Sequence, residues 1–162
     1  MHKSDIDKLE HILTHPEVYK KELKLREFEL EDTVKETIPQ SKQNNDLQDP
    51  RTIRASSNTS TVENKAIKLH SDVKYQLLYS IVHNTPKFVR TCNDLEQTII
   101  DYRYRQIDIS MREWEQIACV LDEKVQEDSS RYQKKSIGKT TTLIIRDKML
   151  ERLAEYIGYP LI

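Results

Sequence analysis

Residues 137–160 read IGKTTTLIIRDKMLERLAEYIGYP. Apolar residues recur in this stretch at intervals of three and four, which predicts one amphipathic helix. Gly158 and Pro160 predict where it ends, because glycine adopts the left-handed conformation that closes helices and proline cannot continue one. The buried side of this helix is expected to consist of Ile145, Met149, Leu150, Leu153 and Ile157.

A shorter apolar pattern precedes this helix, with Trp114, Ile117, Ala118 and Leu121 at helical spacing. A short helix, a connection and a second helix that starts with small, hydroxyl and basic residues form the outline of a helix-turn-helix. The connection over 122–136 is longer than the turn of three to four residues in a tight motif. It is therefore either an inserted loop or an extension of the first helix.

The second helix is expected to bind duplex DNA through its first turns. Small side chains there allow a close approach to base edges, and lysines nearby engage phosphates. Arg146 does not fit, because it falls in the apolar sector; either its stem reaches out to a phosphate or the helix is shifted. The predicted DNA-binding residues are Lys134, Lys135, Ser136, Lys139, Thr140, Thr141, Ile144, Lys148 and Arg152.

Charge is unevenly distributed along the chain. Seven lysines and arginines face three acidic residues over 129–162, a net charge of +4, while the whole chain carries −1 and residues 1–128 therefore −5. A basic terminal segment on an acidic body gives nucleic acid one attractive face. A mixed-charge, solvated helix is the alternative interpretation of the same numbers.

Composition and patterning predict an all-α fold. The chain has only 2 glycines among 162 residues, and 33% of its residues are charged. We expect an N-terminal helical hairpin over 1–38, a flexible polar linker over 39–57, a central helix over 58–84 and a helix-turn-helix domain over 85–162.

The central helix carries a long apolar stripe, formed by Val62, Ala66, Leu69, Val73, Leu77 and Ile81. We expect this helix to end near His83 and a new helix to begin at Pro86, because proline suits a first helical turn. The stripe is either intramolecular core or the interface with a second copy of the chain.

Catalysis is not expected, and neither is a metal site or a cofactor. The histidines lack a metal-ligand spacing with cysteine or acidic partners. Cys92 and Cys119 have no basic cluster that would activate a nucleophile, so both are predicted to be core thiols. With no apolar run that could span a membrane and no signal-peptide pattern at the start, we expect no membrane contact and a cytoplasmic location.

Three motifs give the chain a family resemblance. They are KLE at 8–10 with YKKEL at 19–23, SNTS at 57–60 followed by Glu63, and RLAE at 152–155 followed by Gly158. In these motifs the sequence resembles the RinA/ArpU/LtrC-like late transcriptional regulators of phages and prophages of Gram-positive bacteria.

The resemblance implies a DNA-binding activator of phage late genes, including packaging and structural genes. It implies a C-terminal helix-turn-helix similar to sigma-factor region 4, and host RNA polymerase is the expected second partner. A homodimer is expected if the apolar stripe of the central helix is a subunit interface. By position, residues 99–104 would be the preceding helix, 114–121 the supporting helix and 138–157 the recognition helix. The family starts its recognition helix with serine and a charged pair, whereas this chain has Gly138-Lys139-Thr140. Base preference therefore does not transfer.

Two other functions stay open from the sequence. One is a non-enzymatic helical adaptor, such as a small-terminase-like packaging protein, although those proteins usually carry the motif at their N-terminus. The other is a regulator whose C-terminal module binds polymerase and not DNA.

Overall fold

The computed structural model describes residues 1–37, 61–128 and 136–161, and these residues form helices and no strand. The all-α prediction is confirmed. The predicted linker over 39–57 and the SNTS motif lie outside the described residues. The helices are α1 (Lys3–Thr14), α2 (Pro16–Thr37), α3 (Thr61–Ser71), α4 (Val73–Thr91), α5 (Asp94–Ile99), α6 (Trp114–Asp128) and α7 (Lys139–Ile157), with a π-helical segment at Ile100–Arg105 and a 3₁₀ turn at Ser110–Arg112.

The first two helices part at His15, whose backbone leaves the helical region (φ −127°, ψ 56°) because a proline follows it. α1 packs on α7 and on the π-helical segment, whereas α2 packs along α3 and α4. Leu9, Ile12 and Leu13 of α1 are buried in the central core. The predicted N-terminal hairpin is therefore not confirmed, since α1 buries its apolar side against the C-terminal helices.

The predicted single central helix is wrong: the chain breaks at Asp72. The Asp72 carboxylate accepts a hydrogen bond from the Tyr75 backbone N–H at 2.6 Å, which caps α4. The same carboxylate pairs with the Arg26 guanidinium of α2 at 2.5 Å. A side chain that caps one helix and binds another thus divides the stretch into α3 and α4.

The predicted restart at Pro86 is also wrong, because α4 runs through Pro86 to Thr91. Pro86 has no backbone N–H, so the Val82 carbonyl four residues earlier loses its helical partner. The helix tolerates this loss because it is anchored on both sides of the proline, by Ile81 and by Phe88, which are both buried in the core. Packing outweighs the local preference of the proline.

Only one end of the predicted apolar stripe is core. Val62, Ala66 and Val73 are exposed, and the exposed fractions of Val62 and Val73 are 76% and 82%. Ile81, at the other end, is buried. Helical spacing predicted helices here correctly, but it did not predict which side chains are covered.

The core is built around α7, whose predicted apolar side is buried except at Ile145, which is partly buried. Met149, Leu150, Leu153 and Ile157 lie in one cluster with Ile117 and Leu121 of α6. Side chains of α1, α4, α5 and the π-helical segment complete that cluster. Gly158 ends α7 in the left-handed conformation (φ 69°), which confirms the predicted stop.

Candidate nucleic-acid interface

Three successive helical units meet at the C-terminal end of the chain: α5 with its π-helical extension, α6 and α7. α6 packs along α7, and α5 contacts both. A hydrogen bond from Lys124 Nζ of α6 to Thr98 Oγ1 of α5 (2.8 Å) fixes one of these contacts. This three-helix unit leaves one face of α7 uncovered.

The uncovered face of α7 carries the predicted recognition residues. Thr140, Thr141 and Lys148 are exposed, and half of the Ile144 surface is exposed. Thr141, Ile144 and Lys148 follow each other at i, i+3 and i+7, so they line up along one side of the helix. The structure thus brings together these four predicted residues on a single outward-facing surface, which we call the outer face of α7.

Lys139, at the start of α7, is turned toward α6. Its ammonium lies 2.5 Å from the Glu115 carboxylate, and both side chains are at least half exposed. The hydrogen bond from Lys139 lowers the pKa of Glu115. An exposed pair of this kind adds little stability, so Lys139 can exchange the carboxylate for a phosphate at small cost.

The N-terminus of α7 is open. Gly138 occupies the cap position and has no side chain to bind the first backbone N–H groups. A Cβ atom placed there would meet no atom within 4 Å. The first N–H groups and the positive end of the helix dipole therefore have no side-chain cap, an arrangement that favours anions.

The first part of the connection between α6 and α7 is an extension of α6, which was one of the two interpretations of the sequence. Residues 122–128 belong to α6. Asp122 Oδ1 accepts a hydrogen bond from the Ile137 backbone N–H at 2.8 Å, which holds the entry to α7 against α6. Ser136 is exposed, and Lys134 and Lys135 lie outside the described residues.

Arg152, a predicted DNA-binding residue, is engaged within the protein. Its guanidinium lies 2.6 Å from a Glu96 oxygen and 5.6 Å from the centre of the Phe88 ring. Glu96 is buried and also closes the cap of α5 by accepting from the Asn93 backbone N–H at 3.0 Å. Arg152 therefore anchors α7 to α5 and is removed from the candidate interface.

The contacts of Arg146 explain why a charged residue lies in the apolar sector of α7. Its side chain is only 15% exposed and lies 3.4 Å from the Glu10 carboxylate of α1 and 2.6 Å from Asp147. It also lies 5.2 Å from the centre of the Trp114 ring. Arg146 thus holds α7 to α1 and α6, and does not reach outward to a phosphate.

The same contact includes Tyr104 of the π-helical segment. The Tyr104 hydroxyl donates to Glu10 Oε1 at 3.1 Å, and Tyr104 is buried. Burial, followed by the nearby Glu10 charge, raises the Tyr104 pKa. Glu10 thus joins α1 to both the π-helical segment and α7. In the sequence, the charge of Arg146 within the apolar sector of α7 indicated such a contact. The spacing of residues did not identify Glu10 as the partner.

The two cysteines differ. Cys92 is buried as predicted, and burial raises the pKa of its thiol to about 11. Cys119 is exposed, so the prediction of a core thiol there is wrong: it lies on the solvent side of α6. Over 1–37, 61–128 and 136–161, no group of three His, Cys, Asp or Glu side chains is placed to hold a metal ion, and no helix has the length and apolar character needed to span a membrane.

Comparison with known proteins gives one family. The family described as "Protein of unknown function (DUF722)" matches residues 5–142, a range that begins in α1 and ends in the first turn of α7. No curated protein and no solved structure gave a match.

Proposed function

The chain belongs to the DUF722 family, and we propose that this member is a sequence-specific DNA-binding activator of phage or prophage late genes. The observation that carries the proposal is the outer face of α7, where Thr140, Thr141, Ile144 and Lys148 are exposed beside an open helix N-terminus.

The chemistry of this face suits a major groove. A threonine methyl or the Ile144 side chain can contact a thymine methyl, and Lys148 can reach the O6 and N7 acceptors of guanine or a phosphate. Phosphate contacts from Lys139 and the first backbone N–H groups would fix the register of the helix. The remaining predicted contacts, Lys134, Lys135 and Ser136, belong to the segment that enters α7.

Charge along α7 suggests which end enters the groove. The first half of the helix carries Lys139 and Lys148, whereas Glu151 and Glu155 lie exposed in the second half. DNA would attract the N-terminal half and repel the C-terminal half. This polarity agrees with helix-turn-helix proteins, which read bases with the N-terminal residues of the second helix.

The late-gene role and the partner polymerase rest on the resemblance to the RinA/ArpU/LtrC-like regulators. In this proposal the protein acts in the cytoplasm of the bacterial host, the three-helix unit corresponds to a sigma region 4-like module, and the acidic remainder recruits host RNA polymerase. No cofactor and no catalytic step are part of it.

A homodimer is consistent with the exposed end of the apolar stripe. Val62, Ala66 and Val73 offer apolar surface without cover from the described part of the chain. Dimeric activators read two half-sites, and half-site spacing mirrors the symmetry of the protein. We therefore include pairing through α3 and the start of α4 as part of the proposal.

The test is selection of binding sites from a random duplex pool with the purified full chain at fixed, near-physiological salt. Salt must be fixed because phosphate contacts lose orders of magnitude in affinity as it rises. We expect an enriched motif, with two-fold symmetry if the protein binds as a dimer. A pool that shows no enrichment, with or without RNA polymerase present, would overturn sequence-specific binding.

A second candidate is a helical adaptor or small-terminase-like packaging protein, and one observation favours it. Leu25 and Phe28 of α2 are exposed in addition to the α3 residues, and apolar surface of this kind marks assembly interfaces. Light scattering separates the two functions, because a large ring supports the adaptor and a monomer or dimer supports the activator.

A further inference from the structure

A cleft of about 380 Å³ lies where α1 turns into α2. One wall is formed by the end of α1 and the start of α2, another by α4 around Pro86, and the third by the π-helical segment. Most of the lining side chains are apolar, including Ile12, Ile81 and Val89. Its volume falls in the range of small-molecule sites.

Two hydrogen-bonding groups on the α4 wall lack the partners they would normally have. The Thr85 side chain is only 8% exposed, and its hydroxyl has no hydrogen-bond partner among the residues that the structure describes. The Val82 carbonyl loses its helical partner because Pro86 has no N–H. Thr85, Val82 and Pro86 all line the cleft. Buried polar groups in proteins are normally satisfied, so the Thr85 hydroxyl points to a bound molecule, and the Val82 carbonyl offers that molecule a second hydrogen-bonding group.

The wall formed by the π-helical segment has irregular backbone. Ile100 and Tyr104, which line the cleft, belong to the π-helical segment. π-helical turns are rare and occur frequently at functional sites, because the wider turn redirects side chains. The irregular turn and the proline within α4 thus face the same space.

Charges at the rim favour a neutral occupant. Lys20 pairs with Glu17 at 2.8 Å, and Arg105 pairs with Asp101 at 3.1 Å. Each lining cation therefore has a carboxylate of its own, so the rim carries little net charge for an anion. The Thr85 hydroxyl and the carbonyl of Val82, both lining residues, suit a ligand that donates one hydrogen bond and accepts another.

We propose that this cleft binds a small neutral molecule with an apolar body and one hydroxyl group, which hydrogen-bonds Thr85 and the Val82 carbonyl. The assignment is independent of DNA binding. It adds a ligand site beside Tyr104, whose hydroxyl contacts Glu10 of α1.

The test uses two probes of nearly equal shape, p-cresol and p-xylene, titrated into the full chain and followed by backbone amide NMR. We expect p-cresol to bind more tightly and to shift the amides of Ile12, Val82, Thr85 and Ile100 together. Substitution Thr85→Val keeps the shape and removes the hydroxyl. It should weaken p-cresol about fivefold, the size of one net hydrogen bond, and leave p-xylene unchanged.

A second variant, Val89→Phe, fills the cleft and should abolish binding of both probes. Circular dichroism of each variant checks that the fold is kept. The proposal is overturned if p-cresol and p-xylene bind equally, if Thr85→Val does not change their ratio, or if neither probe shifts these amides at millimolar concentration.

Discussion

Two regions of this molecule both consist of helices with apolar residues at helical spacing, but different contacts hold them together. The inner region consists of α1, the end of α4 and α5 through α7, where Leu9, Ile117, Leu121 and Leu153 have no exposed surface. The outer region consists of α2, α3 and the start of α4. There, apolar side chains face solvent, and charged pairs connect the helices.

The outer contacts are specific but polar. Arg26 of α2 binds Asp72 at the start of α4, and Lys65 of α3 binds Glu31 of α2. Both pairs lie partly exposed near the surface, where ion pairs add less stability than buried apolar side chains do. The comparison indicates that the inner region is the scaffold for α7, while polar contacts hold much of the outer region.

The largest expected effect is the loss of a buried leucine in the inner region. Leu153→Ala should lower the free energy of unfolding by about 2–5 kcal/mol, because it removes buried methyl groups and leaves a cavity. The matched control is Leu25→Ala in the outer region, where the exposed side chain predicts a change within about 0.5 kcal/mol. Urea unfolding measures both, and similar losses would contradict the division into two regions.

The next effect concerns the contact that fastens α1 to the inner region. Glu10→Ala should cost about 1–3 kcal/mol, because it removes charge-assisted hydrogen bonds to Arg146 and Tyr104. Tyr104→Phe removes only the hydroxyl and should cost about 1 kcal/mol. Hydrogen exchange should rise in α1 of both variants, more in Glu10→Ala, and unchanged exchange there would refute the anchoring role.

The junction of the outer region should show a smaller effect that depends on pH. Asp72→Ala removes the cap of α4 and the partner of Arg26, and should cost about 1–2 kcal/mol at neutral pH. The hydrogen bonds from Arg26 and from the Tyr75 N–H lower the pKa of Asp72 in the folded state. Its stabilising effect is therefore full above its unfolded pKa of about 3.9 and is lost as pH falls through the lower folded value.

Asp72→Asn isolates the charge, because asparagine also caps helices. Thermal unfolding from neutral pH down to acid should show the difference between wild type and Asp72→Asn shrink as pH falls. A difference that stays constant with pH would rule out the charged pair as its cause.

The smallest expected effect on folding is at the exposed apolar residues of the outer region. Val62→Ser and Val73→Ser should change unfolding of the monomer by no more than about 0.5 kcal/mol. If this surface pairs two copies, the same variants should shift the mass measured by light scattering toward the monomer. An unchanged dimer would place the interface elsewhere.

Much of the inner region could be predicted from the sequence. The spacing of apolar residues defined α6 and α7, and Gly158 with Pro160 defined the end of α7. The sequence did not predict where the middle of the chain breaks, because the decisive contact joins Asp72 to Arg26 across 46 residues of sequence. It predicted a helix start at Pro86, but packing on both sides of this proline keeps α4 continuous to Thr91.

The candidate interface shows the same limits. Helical periodicity placed Thr141, Ile144 and Lys148 on one face, and burial on the opposite side of α7 agrees with that. Arg152 was assigned to DNA because of its charge, and only the fold reveals that Glu96 and Phe88 hold it. Periodicity reports direction around a helix, whereas the partner of a charged side chain depends on how distant helices meet.

The most direct test of DNA reading by α7 is fluorescence anisotropy with the duplex enriched from the random pool. The variant is Thr141→Ala/Ile144→Ala/Lys148→Ala, and the control is Glu151→Ala/Glu155→Ala in the second half of the same helix. The account predicts that the triple variant loses its preference for the selected duplex over a scrambled one, with a shallower salt dependence. It predicts an unchanged preference for the control. A triple variant that folds normally and keeps the full preference would contradict the account.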